Sequence, residues 1–66
     1  MFVNVGDLVV LKNFYTGFSL TTDAGFRDFT ADDVGIVLKV GSLDVTIVSS
    51  RLMYGSLPKA TLKRLT

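Results

Sequence analysis

At 66 residues and a net charge of +1, the chain has the length of one small domain, with a charge too slight to act by itself as a nucleic-acid footprint. It contains no His and no Cys, which removes the commonest general base, the thiol nucleophile and any disulfide, so neither an enzyme nor a cofactor or metal is expected. A domain of about 60 residues buries only roughly 60% of the surface its unfolded chain exposes. With 48% of this sequence hydrophobic, oligomerisation or docking on a larger assembly is the expected outlet.

The opening Met1-Phe2-Val3-Asn4-Val5 has no basic region and runs into Gly6-Asp7, so a signal peptide is not expected there. No apolar run reaches the roughly 18 residues of a membrane span, and cytoplasm is the default location. The turn pair Gly6-Asp7 opens a first strand, Leu8-Val9-Val10-Leu11. Then comes the stretch Asn13 to Asp33, read as one long connection, in which Phe14, Tyr15, Phe18, Phe26 and Phe29 gather while Phe2 and Tyr54 lie elsewhere. Long loops without secondary structure are functional or disordered, and five aromatics argue against disorder.

A second strand is predicted over Val34 to Val40, with Ile36, Leu38 and Val40 on one face and Val37 and Lys39 on the other. Gly41-Ser42-Leu43-Asp44 reads as a short hairpin connection into a third strand, Val45 to Ser49. Arg51 to Leu57 gives a fourth, bent at Gly55, where a strand glycine often marks a bulge or corner. Pro58 then starts a 3₁₀ turn before a brief last strand carrying Leu62 and Leu65. Five short strands of this spacing curl into a small, partly open barrel, so residues 1–66 form a single all-β domain. The expected core is Leu8, Val10, Ile36, Leu38, Val45, Ile47, Leu57 and Leu62, with Gly6 and Gly35 marking a turn or a close passage of chains.

Three segments carry a resemblance to the SH3-like barrels of the KOW and Tudor type. They are Val5-Gly6-Asp7-Leu8-Val9-Val10-Leu11, Asp33-Val34-Gly35-Ile36-Val37-Leu38-Lys39-Val40 and Val45-Thr46-Ile47-Val48, followed by Leu57-Pro58 with Leu62 and Leu65. In that family a Gly-Asp turn opens the first strand, a Gly-x-Val step starts the second after a long first loop, and a 3₁₀ turn leads into the last. The chain has no Trp, unlike the binders of proline-rich peptides. Its stand-alone form is similar to small barrel proteins encoded by bacteriophages. That resemblance implies a structural or host-modulating accessory protein, in the host cytoplasm or the virion.

Two candidate surfaces follow. The loop aromatics either close the barrel or stay exposed as an anchor, and Tyr15, Phe18 and Phe26, beside Gly17 and Gly25, are the candidate protein-binding residues. The partner is then another protein or a second copy, through this loop and an exposed edge strand. The alternative is nucleic acid, with Arg51, Lys59, Lys63 and Arg64 on phosphates, because no acid follows Asp44. Such cations equally suit a solvated strand edge. Asp23, Asp28, Asp32 and Asp33 lack the spacing of a calcium loop, and Thr30-Ala31-Asp32-Asp33 reads as a turn that satisfies its own backbone donors.

Overall fold

The computed structural model describes residues 3–12, 17–49 and 52–65, and every regular element among them is a β-strand except one 3₁₀ turn. In chain order the strands are β1 (Leu8–Leu11), β2 (Phe18–Thr22), β3 (Gly25–Phe29), β4 (Val34–Val40), β5 (Asp44–Ser49), β6 (Tyr54–Pro58) and β7 (Leu62–Arg64), with the 3₁₀ turn at Lys59–Thr61. They form one antiparallel sheet in the order β3-β2-β6-β5-β4-β1-β7. The sheet does not close, so β3 and β7 are its edges.

The sequence predicts five strands, whereas seven lie among the described residues, because the stretch between Asn13 and Asp33 holds the hairpin β2-β3 rather than one long loop. Its turn is built by Thr22, whose Oγ1 accepts the Ala24 N–H at 3.1 Å and donates to the Gly25 carbonyl at 3.3 Å. Gly25 sits at φ +122°, a conformation that residues with a side chain rarely adopt. The period of two is hidden on β3, where the adjacent Arg27 and Asp28 separate Phe26 and Phe29 and those two rings fall on opposite faces.

The other turns match their sequence signals. Before β1, Asp7 Oδ2 accepts the Asn4 N–H at 2.8 Å and the Asp7 N–H returns to the Asn4 carbonyl at 3.0 Å, while the Gly6 N–H ties the turn to Val37 at 2.8 Å. At Thr30–Asp33 the buried Asp33 carboxylate accepts the Thr30 N–H at 2.9 Å, and the Asp33 N–H donates to the Thr30 carbonyl at 3.0 Å. Past β6, the Thr61 hydroxyl donates to the Pro58 carbonyl at 2.7 Å and closes the 3₁₀ turn, and the Lys12 N–H donates to Thr61 at 2.9 Å. Leu62 is thereby delivered into the core opposite Leu11.

The core consists of Val9, Leu11, Leu20, Phe29, Val37, Val45, Ile47, Met53, Leu57 and Leu62, with Val3 at its margin. Val45, Ile47, Leu57 and Leu62 are buried as expected, but the faces of β1 and β4 are inverted relative to expectation. Leu8 and Val10 are half-buried, and Ile36 and Leu38 are exposed, while Val9, Leu11 and Val37 face inward. Gly35 fixes that choice. It lies inside, opposite Val9 and Ser49, and a Cβ there would approach Ile47 Cδ1 to 2.7 Å. Since successive residues of a strand point to opposite faces, an inward Gly35 sends Ile36 out and Val37 in. An irregularity between Val37 and Lys39 then breaks the alternation, so that Lys39 lies opposite Thr46 and Val40 opposite Val45.

Candidate protein-docking surface

The strand register turns these inverted faces into a surface. Phe26 on β3 lies opposite Thr21 on β2, Thr21 opposite Tyr54 on β6, Tyr54 opposite Val48 on β5, Val48 opposite Ile36 on β4, and Ile36 opposite Leu8 on β1. Directly opposed residues of an antiparallel pair share a face, with Cβ atoms roughly 4.5–5.5 Å apart. The row therefore runs across six strands on the outer side of the sheet, interrupted by polarity only at Thr21. Phe26 is 78% exposed, Tyr54 55% and Ile36 44%. Leu65 extends the row beyond β1, because its N–H donates to the Leu8 carbonyl at 2.8 Å and its side chain is exposed. On one flank runs a polar row, Lys39 opposite Thr46 opposite Ser56, with the two hydroxyls 2.9 Å apart. On the other, Val10 lies opposite Val34, both half-buried.

Of the three candidate binding residues, Phe18 and Phe26 are not held together. Phe18 lies opposite Phe29 on the inner face and packs, half-buried, against the core, whereas Phe26 stands on the outer face of the same hairpin. Tyr15 lies outside the described residues, as do Phe2 and Phe14. Sequence reasoning missed Tyr54, Ile36 and Leu38 as surface groups. For Ile36 and Leu38 the available signal was the inward glycine at 35. For Tyr54 it was a phenol next to Gly55, a ring with a polar end that favours half-wet positions.

Among the described basic candidates, strand parity separates Lys63 from Arg64. Lys63 lies opposite Val10 on the outer face, and Arg64 lies opposite Val9 on the inner one, where its guanidinium is 3.9 Å from the Asp7 carboxylate. Lys59 is half-buried in the 3₁₀ turn, its N–H donating to the Leu43 carbonyl at 3.0 Å. Arg51 lies outside the described residues. Among the described residues no pocket opens, no group of three side chains is placed to hold a metal ion, and no helix is long and apolar enough to cross a membrane.

No protein-family model, no curated protein and no solved structure matches this chain.

Proposed function

We propose that the protein is a non-enzymatic interaction module, an SH3-like barrel in arrangement, that joins a second protein or a copy of itself through β3 and the outer apolar row. Supporting the barrel reading is the order of elements, a first strand, a hairpin, a three-strand meander β4-β5-β6, a 3₁₀ turn and a last strand paired back onto the first. Small phage-encoded barrels that the sequence resembles suggest a virion subunit or a host-modulating accessory protein as the setting. The observation that carries the docking role is Phe26, a largely exposed ring on an edge strand at the head of a row of outward apolar residues. Small soluble monomers rarely leave such contiguous apolar surface uncovered, and aromatic rings are the usual anchors of interfaces.

The test is light scattering coupled to size exclusion over a dilution series, together with capture of a bound protein from the producing cells, each with wild type and Phe26→Ser. Association that survives high salt and is lost in Phe26→Ser, with the circular dichroism spectrum unchanged, supports the reading. Burial of apolar surface is not weakened by salt. A monomer that holds no protein, or association untouched by Phe26→Ser, contradicts it. Binding to single- or double-stranded probes that falls steeply with salt would instead favour the basic C-terminal residues.

A further inference from the structure

We infer that the occupant of this surface is a second copy of the chain, its β3 pairing antiparallel with β3 of the first about a two-fold axis at Arg27. The inference rests on the docking role proposed above and names its partner and register. Consecutive residues of a strand turn their backbone groups to opposite sides. Along β6 the odd-numbered residues face β5, because the Ser49 N–H donates to the Met53 carbonyl at 2.8 Å and the Lys59 N–H to the Leu43 carbonyl at 3.0 Å. Tyr54 therefore turns to β2, where it meets Thr21. With Thr21 turned to β6, its neighbour Leu20 turns to β3 and meets Arg27. Phe26 and Asp28, on either side of Arg27, are left with N–H and C=O directed out of the sheet, the ready template for another strand. The other edge offers less, since at β7 the Leu65 N–H is held by the Leu8 carbonyl and the Leu62 N–H by the Lys59 carbonyl.

A two-fold axis perpendicular to the sheet at Arg27 uses all of these outward groups. Phe26 of each copy stands opposite Asp28 of the other, and each such pair exchanges both its N–H···O bonds. Moving the axis to Phe26 or to Asp28 sets the other of the two opposite Ala24 or Thr30, whose N–H groups are already held by Thr22 Oγ1 at 3.1 Å and by Asp33 Oδ2 at 2.9 Å. The axis at Arg27 also keeps both outer faces on one side. The two Phe26 rings become diagonal neighbours with Cβ atoms roughly 7–8 Å apart, within reach of each other. Each ring, 78% exposed in the single copy, gains a cover, and the outer apolar row runs on from one copy into the other. Arg27 shares the inner side of the hairpin with Leu20 but is exposed, so across the axis it meets its own copy as a like-charged pair. That pair weakens the dimer and marks its register. An interface between identical patches closes at two copies.

Two experiments test it on the intact chain. In the first, wild type and Arg27→Glu are mixed and the dimers are counted by native mass spectrometry. Only where residue 27 faces itself does the mixed dimer gain an opposite-charge pair while both parent dimers keep a like-charge one. The mixed dimer should bind about fivefold tighter than either parent, the scale of exchanging one kind of cross-strand pair for the other. In the second, Arg27→Cys is introduced into this cysteine-free sequence. Residues opposed in a pair without mutual hydrogen bonds have Cα atoms about 4.5 Å apart, inside the roughly 4.4–6.8 Å that a disulfide spans. Oxidation should therefore give a linked dimer and nothing larger, whereas Asp28→Cys and Lys63→Cys should remain single chains on the same non-reducing gel. Mixing at the statistical ratio, or Arg27→Cys that links no faster than Asp28→Cys, overturns the edge pairing. If the oligomer nonetheless dissolves in Phe26→Ser, the docking role stands without it. A monomer at every concentration overturns the pairing as well, and the docking role then depends on Phe26-dependent capture of a different protein.

Discussion

Gly35 shapes the inner face of β4, since its missing side chain leaves the space that Ile47 fills and its inward position sets which half of β4 faces water. Gly35→Val inserts carbon where Ile47 Cδ1 would stand 2.7 Å from the new Cβ. Overpacking of this kind costs about 1–3 kcal/mol, and a domain of 60–100 residues loses roughly 4–8 °C of Tm per kcal/mol. A thermal melt followed by circular dichroism should show that drop, and an unchanged Tm would mean that Gly35 is not inside. The Thr30–Asp33 turn offers a second check. Asp33→Ala removes a buried acceptor from the Thr30 N–H and hydroxyl, whereas Asp32 is exposed. Leaving a buried donor unsatisfied costs about 1–3 kcal/mol, so Asp33→Ala should lower the urea midpoint well below that of Asp32→Ala. This turn was legible in the sequence, because Thr and Asp at that spacing satisfy backbone donors locally and need nothing from the rest of the chain.

Strands reveal less of themselves, and the reason is visible in β1 and β4. Leu8-Val9-Val10-Leu11 and Ile36-Val37-Leu38 are apolar at consecutive positions, so each could bury either parity, and the bulkier Ile and Leu draw the wrong assignment. The choice is made by the paired strands, through the register of Val9 with Gly35 and of Val37 with Ile47. The break in register between Val37 and Lys39 hides the alternation further by leaving Leu38 and Lys39 exposed in succession. β5, with apolar Val45 and Ile47 set off by Thr46, had a readable inner face, and its residues are where the sequence places them. The test of the inverted face is a pair of neighbours. Val37→Ala should destabilise by about 2 kcal/mol or more through the cavity it leaves in the core, while Ile36→Ala should cost under about 1 kcal/mol, being nearly half exposed. Chemical denaturation of the two variants decides between the faces, and a larger loss from Ile36→Ala would restore the opposite one.

At the scale of the whole molecule, the described residues bury eleven apolar side chains and leave nine large ones exposed, so the outside holds nearly as much of the hydrophobic capital as the inside. Neither surface candidate was recoverable from composition alone, because the excess of apolar residues says that something must be covered but only the register says that Phe26, Tyr54 and Ile36 line up. A small core with an outer apolar row makes stability and assembly inseparable. Whatever binds the folded state and not the unfolded one stabilises by mass action, about 2.7 kcal/mol at a hundred times the dissociation constant. Self-association should therefore make Tm concentration-dependent. Diluting wild type through its dissociation range should lower Tm by up to roughly 10–20 °C, from that free energy and the sensitivity of a domain this size. The slope should flatten in Phe26→Ser, which removes the largely exposed ring from the outer row. A wild-type Tm that is constant across dilution, in samples where light scattering does report oligomers, would show that the copies meet without stabilising the native sheet, and the outer row of the folded chain would be the wrong contact.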